Sequence, residues 1–375
     1  MRDIKELRKE IDGIDKELVK LFEKRMSIVE EVAIYKIENN KPLKDPARES
    51  ELIEKNVSLL NNHKYDRLLS VFFKDLMEYS RTHQKYLMKN EVIEFSLPIK
   101  NPKVVYQGVE GSFSSIALKS FFKEGSEQVH VRTFEETFKT LYNKEADYGI
   151  LPIENSSTGA INEVYDLLLK YQMHIVGDLY LPIRHHLIGF EGTDLSEIEA
   201  VYSHEQGFKQ SKKFLSHYEW QQYSYTNTAK SVMHVKELQK RKYAAIGSKE
   251  AADVYGLSVL KENIHDHDYN TTRFVVLALK PIKVKSANKI SLVVRVSHEP
   301  KALFSVLEII ANHNINMLKI ESRPIPDKPW AYMFYIDIEG SVGDVIVDKT
   351  LEEIETVSNS VLMLGNYYSR NGVNE

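Results

Sequence analysis

The sequence predicts a multidomain chain: an all-α segment, a two-lobed α/β segment, then a smaller α+β segment. Three observations predict it. Residues 3–38 carry one long apolar stripe at helical spacing. From Lys103 the texture changes to short apolar strands alternating with helices. From Ile290 the order reads strand, helix, strand, strand, helix, strand. Residues 89–102 and 281–288 mix charge with proline and show no period, so they read as linkers. A length of 375 residues calls for two or three cores. The expected domains are 1–90, 102–281 and 286–370.

Composition narrows the function classes. A net charge of −4 and a pI near 6.4 leave no basic footprint for nucleic acid or an anionic membrane. An anionic substrate would need local Arg and Lys. The chain has no Cys, which removes disulfides, thiolate catalysis and Cys-ligated metals. The N-terminal residues are charged, and no apolar run approaches a membrane span. A soluble, cytoplasmic protein is expected.

In the first segment Ile4, Leu7, Ile11, Ile14, Leu18, Leu21, Ile28 and Val32 form a heptad-like stripe. Arg25 occupies one of its positions. Arg8 and Lys36 lie on the neighbouring row with Phe22 and Val29. One such basic residue is ordinarily a side chain snorkelling to water. Here two further helices also bring polar groups to core positions. Pro42 ends the first helix, and Asp45-Pro46 reads as an N-cap and first turn that carry Arg48 and Glu49. A third helix at 66–88 runs Leu69, Phe73, Leu76 and then Ser80 and Gln84. Polar residues on facing helices are how a bundle builds a site.

These eight positions, Arg8, Arg25, Lys36, Asp45, Arg48, Glu49, Ser80 and Gln84, resemble the all-helical chorismate mutase family over residues 1–90. The resemblance implies a pericyclic rearrangement of chorismate to prephenate, helped by holding the folded conformer and stabilising the breaking ether oxygen. It implies that Arg8 and Arg25 clamp carboxylates, Lys36 and Gln84 donate to the ether oxygen, and Glu49 accepts from the ring hydroxyl. Asp45, Arg48 and Ser80 support them. It also implies a homodimer or larger homo-oligomer in which the residue matching Arg8 comes from the other subunit.

In the second segment a glycine-containing turn, 107–114, follows a short strand. Its spacing fits neither a dinucleotide fingerprint nor a P-loop. The strand ending at Tyr148-Gly149-Ile150-Leu151 turns polar at Glu154–Thr158, and helical spacing resumes at Ile161, Val164, Tyr165, Leu168 and Leu169. A strand, a polar turn and a helix N-terminus would make an anion pocket. A second lobe begins beyond 179. There a strand at 199–204 leads into a helix that Ser203 is expected to cap. Ser203 and His204 are sequence neighbours, which ordinarily point apart and do not make a catalytic pair. His265-Asp-His267-Asp offers too little for a closed metal site, so no metal is expected.

The runs Tyr106-x-Gly108-x-x-Gly111-x-Phe113-Ser114, Pro152-Ile-Glu-Asn-Ser156, Ser203-His204-x-Gln206 with Gln210, and Thr272-Arg273-Phe274 after Asn270 resemble the prephenate dehydratase family. Glu205 stands where many members have Pro. The resemblance implies a two-lobed fold like that of periplasmic binding proteins, and loss of hydroxyl and carboxylate from prephenate to give phenylpyruvate. It implies Thr272 as the catalytic residue, with Asn155, Ser156, Ser203 and Gln210 in the pocket and Arg273 as a carboxylate partner. An alcohol is a weak acid, so Thr272 is expected to position or relay a proton.

The third segment has a ferredoxin-like order. Its Glu321-Ser322-Arg323-Pro324 resembles the ACT regulatory domain, which implies phenylalanine as effector, bound near that run and near Ala302-Leu303. Family members usually show Gly where this chain has Lys301. The whole therefore reads as a cofactor-free bifunctional enzyme of phenylalanine biosynthesis. Two alternatives stay open. One is a non-catalytic aromatic-amino-acid sensor. The other keeps the folds but acts on arogenate, or as an isochorismate pyruvate lyase. Lys36→Ala is expected to abolish mutase turnover without unfolding the chain, as read by chorismate consumption beside circular dichroism.

Overall fold

The structure is a computed structural model that describes residues 2–38, 46–89, 97–122, 125–267, 269–282, 284, 287–325 and 331–370. By internal packing it divides into two units, residues 1–94 with 342–353 and residues 95–341 with 354–375.

In the first unit α1 (Ile4–Glu38) and α2 (Pro46–Val57) both pack on α3 (Asp66–Lys89). Val29, Leu76 and Met77 are buried there, and so is Ser80. The rest of the α1 stripe is not covered: Ile11, Ile14 and Leu18 are 55%, 60% and 50% exposed. Asp45, expected to cap the second helix, lies outside the described residues.

The second unit begins with a lobe built as a parallel βαβ layer that is completed later in the chain. Its first elements are β1 (Lys103–Gln107), α4 (Phe113–Phe122), β2 (Glu127–Val131), α5 (Phe134–Tyr142), β3 (Tyr148–Asn155), β4 (Gly159–Ala160), α6 (Asn162–Tyr171) and β5 (His174–Pro182). Thr133 and Glu136 make a reciprocal capping box that starts α5. The chain then crosses to a second lobe: β6 (His186–Gly189), β7 (Ala200–Ser203), α7 (Glu205–Gln210), α8 (Lys212–Leu215), β8 (Gln221–Ser224), α9 (Thr228–Leu238), β9 (Tyr243–Gly247), α10 (Lys249–Tyr255) and β10 (Ser258–Lys261). The run 181–188 holds the end of β5 and the start of β6, with the crossing between them. Asn227 and Ser248 cap α9 and α10 through their side-chain oxygens.

The chain returns as β11 (Thr271–Ala278), which inserts between β5 and β3. The segment that resembles a regulatory domain follows: β12 (Lys289–Arg295), α11 (Ala302–Asn312), β13 (Met317–Pro324), β14 (Tyr332–Glu339), α12 (Val345–Val357) and β15 (Ser360–Tyr367). Its sheet order is β13-β14-β12-β15, as the ferredoxin-like reading expects. A last strand, β16 (Ser369–Arg370), pairs in parallel with β5, so the first-lobe sheet runs β16-β5-β11-β3-β1-β2.

That sheet is covered on both faces. Ile150, Phe274 and Val276 pack on one face with Ala117, Leu118 and Phe121 of α4. Leu151, Ile153, Val275 and Leu277 pack on the other with α5, α6 and the regulatory sheet residues Val293, Met333, Tyr335 and Leu364. At Gly365 the two sheets approach so closely that a Cβ would overlap the Ile175 carbonyl oxygen. Gly365→Ala is therefore expected to destabilise the second unit by about 1–3 kcal/mol or more in urea unfolding, as overpacked cores do.

Candidate active sites

Asn155 and Thr272 are cross-strand partners at the ends of β3 and β11. The Asn155 amide nitrogen donates to Thr272 Oγ1 at 2.9 Å and to Asn270 Oδ1 at 2.8 Å. Its oxygen accepts from the Ser157 and Thr158 backbone N–H groups at 2.9 and 3.1 Å. Ser156 Oγ donates to the Tyr269 carbonyl and accepts from Thr271 N–H, each at 2.9 Å. The polar turn is thus knitted to the start of β11. The expected anion pocket at a helix N-terminus is corrected here. The turn amides are already satisfied by Asn155, and β4 stands between the turn and α6. What the turn provides is a Thr272 oxygen that accepts from Asn155 and keeps its own proton to donate.

On the second lobe Ser203 is fully buried, and its hydroxyl donates to the Ile246 carbonyl at 3.1 Å. The helix cap expected of it comes instead from His204, whose Nδ1 accepts from Gln206 N–H at 3.1 Å. The neighbouring Ser and His are therefore engaged apart. Gln210 Oε1 sits 2.9 Å from His185 Nε2. His185, unremarked in the sequence, is buried and makes a T-shaped contact with Phe113 of the first lobe. Its Nδ1 has no hydrogen-bond partner. Burial, with His265 and His186 adding to it, pulls its pKa down to about 4.

The lobes meet where the β1–α4 loop touches α10: Ser248 Oγ donates to the Gly111 carbonyl at 2.8 Å and Tyr255 OH to that of Glu110 at 2.9 Å. Beside this contact a cavity of about 330 Å³ opens, walled by Phe113, Ile116, Leu181, Arg184, His186 and Lys249 among others. Leu181 is the cross-strand neighbour of Thr272 on β5. The structure joins Asn155, Ser156 and Thr272 in one hydrogen-bonded set, while Ser203 and Gln210 belong to separate sets on the second lobe.

Arg273 lies elsewhere. Successive residues of a strand point to opposite faces, so Arg273 leaves β11 on the face opposite Thr272. Its Nε donates to Asp178 at 2.9 Å, Nη1 to Asp337 at 2.5 Å and Nη2 to the Tyr367 hydroxyl at 2.8 Å. Burial works against its charge, but Asp337 and Asp178 outweigh burial and hold its pKa well above the ordinary value. Its expected role as a carboxylate partner is corrected by this geometry: the guanidinium is buried on the face opposite Thr272, and each of its nitrogens already donates inside the protein. Arg184 and Lys249 are basic residues in the cavity wall.

In the helical unit Arg25 Nη1 donates to Ser80 Oγ at 2.5 Å, and Ser80 donates onward to the Leu76 carbonyl at 2.6 Å. Burial lowers the Arg25 pKa. Lys36 is half-buried, whereas Arg8 and Arg48 are exposed, and Arg48 pairs with Glu51 at 2.9 Å. Arg8 stands 17 residues before Arg25 on the same helix, about 26 Å away at 1.5 Å per residue. Asp45 and the side chains of Glu49 and Gln84 lie outside the described residues.

In the regulatory segment Glu321, Ser322, Arg323 and Pro324 close β13, with Ser322 and Pro324 exposed. Arg323 pairs with Asp166 of α6 at 2.7 Å. Ala302 and Leu303 open α11. Lys301 before them has φ 71°, the left-handed region where glycine is unstrained. Among the described residues no group of three His, Asp or Glu side chains is placed to hold a metal ion.

Residues 7–85 match the sequence family described as chorismate mutase type II, 104–282 prephenate dehydratase, and 290–356 the ACT domain. A bifunctional chorismate mutase/prephenate dehydratase of Enterobacter agglomerans is 35% identical over 98% of this chain and 96% of its own length. The chain belongs to the bifunctional chorismate mutase/prephenate dehydratase family. A prephenate dehydratase from Arthrobacter aurescens, solved in complex with L-Phe, is 26% identical at TM-score 0.65 over 71% of this chain and 90% of its own. A quorum-quenching acylase named GqqA has the same identity at TM-score 0.66 over 71% and 97%. Within the family's dehydratase domain, His185 and Asn270 are the buried polar neighbours that sequence reasoning left without a role. Asn270 stood in the quoted signature. His185 carried no periodic or spacing signal.

A neutral buried His185 has a definite consequence. The unfolded chain takes up a proton near the ordinary 6.5 while the native state resists until about 4. Stability is therefore lost as pH falls through that window, by about 2–3 kcal/mol from this residue. His185→Gln is expected to flatten that part of the acid limb when urea unfolding is compared at pH 7 and 4.5.

Proposed function

We propose that the chain is a bifunctional enzyme of phenylalanine biosynthesis. The helical unit rearranges chorismate to prephenate. The two-lobed domain converts prephenate to phenylpyruvate, carbon dioxide and water, and the regulatory sheet binds phenylalanine and inhibits that step. The observation that carries the dehydratase reading is the Asn155–Thr272 hydrogen bond, which leaves the Thr272 proton free to donate.

In the dehydratase step the carboxylate C–C bond breaks and its electron pair moves into the ring. The ring hydroxyl leaves and takes up a proton as water. Aromatisation drives the reaction, so the protein's task is to hydrogen-bond the leaving hydroxyl and hold the conformer. Thr272 does the first. Arg184 and Lys249 are the basic groups suited to the carboxylates, in the place first given to Arg273.

In the mutase step no proton is transferred and no nucleophile is needed. Arg25, oriented by Ser80, holds a carboxylate, and Lys36 meets the ether oxygen. Arg8 is too far along α1 to reach the same small molecule. A second copy of the chain supplies it, and the uncovered α1 stripe is the face on which the two copies pair. The chain acts in the cytoplasm; among the described residues no helix is long and apolar enough to cross a membrane.

A two-substrate assay tests the whole reading: chorismate consumption and phenylpyruvate formed from added prephenate, each with and without phenylalanine. Thr272→Ala is expected to lower dehydratase turnover by about 10²–10⁴-fold with mutase turnover intact. Equal loss of both activities would mark a folding defect and remove the catalytic role.

A further inference from the structure

Two pairs of neighbouring residues stand back to back across the first-lobe sheet. Thr272 lies opposite Asn155, and Arg273 lies opposite Glu154. The first pair makes the catalytic hydrogen bond. The second pair points at the regulatory sheet and is held there by charge. Glu154 pairs with Lys319 of β13 at 2.8 Å. Arg273 donates to Asp337 of β14 and Tyr367 of β15. Ser291 of β12 donates to Asp337 Oδ1 at 2.5 Å, and Lys289 Nζ donates to Asp178 at 3.0 Å. All four regulatory strands thus contribute a side chain to the contact.

The contact is dry. Arg273, Asp178, Asp337, Lys289, Ser291 and Tyr367 are all buried, with two positive and two negative charges that balance. A buried ion cluster tolerates little displacement, because separating one pair leaves a charge uncompensated in low dielectric. The regulatory sheet therefore cannot slide against β11 and β3 without moving Arg273 and Glu154, and each shares a backbone with its catalytic neighbour. Arg323 ties the same β13 strand to Asp166 on α6, so the effector strand is fastened to the lobe at two points.

We propose that the Glu154–Lys319 and Arg273–Asp337 ion pairs carry the effector state of the regulatory sheet to Asn155 and Thr272. Arg273 and Glu154 are positioning residues in this scheme, acting through the strand and not on substrate. The inference rests on phenylalanine being the effector, as proposed above.

The test uses the full-length chain and three variants, Asp337→Asn, Tyr367→Phe and Lys319→Met. Tyr367→Phe deletes one acceptor and keeps the shape, so it stays informative if Asp337→Asn fails to fold. Phenylalanine binding is read by calorimetry, and inhibition by phenylpyruvate formation. The expected result is binding close to that of the unaltered chain with the inhibitory concentration raised about tenfold or more, a typical size for a lost coupling. Mutase turnover and dehydratase turnover without effector stay within a few-fold. Folded variants that bind phenylalanine and remain fully inhibited would overturn the inference while leaving the effector reading intact. If the unaltered chain binds no phenylalanine, the effector reading falls and takes the inference with it.

Discussion

Everything in the dehydratase domain depends on β11 being buried on both faces. A strand covered on one side has a wet face on which a polar residue is harmless. A strand covered on both must find a partner for every polar side chain. Thr272 finds Asn155 and Arg273 finds two carboxylates. A slip of one residue would place the guanidinium against α4 and the hydroxyl against the charge cluster, so the register is fixed by chemistry as well as by packing.

The irregularity between β3 and β11 takes part in this. Arg273 opposes Glu154 and Phe274 opposes Pro152, so Ile153 is the extra residue of a bulge. Without that extra residue Glu154 would stand opposite Thr272. The bulge sends Glu154 to the regulatory side and brings Asn155 to the hydroxyl. The bulge thereby leaves a neutral amide, not a carboxylate, as the hydrogen-bond partner of Thr272. The salt bridges behind the strand are weak evidence for stability, since such clusters often only break even against apolar packing. What they do define is one docking arrangement between two sheets that apolar contacts alone would allow to shift.

The helical stripe, the strand–helix alternation and the final βαββαβ order were legible because each has its own period, and the long α1 was placed to within a residue or so. Thr272, Asn155 and Ser156 were legible from wording, and the structure brings them together. Arg273 was misread for an instructive reason. A motif written as consecutive letters suggests a shared purpose, but neighbours on a strand face opposite ways. Ser203 was misjudged because capping was inferred from residue type, while His204 was the group that reached the amide; the turn after β3 was misjudged as an anion pocket because Asn155 takes its amides. Asp178, Lys289, Asp337 and Tyr367 were invisible in the sequence, because their meaning lies in contacts across 64 to 111 positions.

The order of strands also bears on how the chain is made. The first-lobe sheet receives β11 in its middle and β16 on its edge only after the second lobe and the regulatory segment have each been threaded through. During synthesis β3 and β5 leave the ribosome with their shared neighbour still unmade, and their unpaired edges wait while about ninety further residues are added. The second lobe, whose strands are contiguous, can close first. Thr272 therefore enters an assembly whose two halves already exist, and its hydrogen bond with Asn155 is among the last parts of a newborn molecule to form.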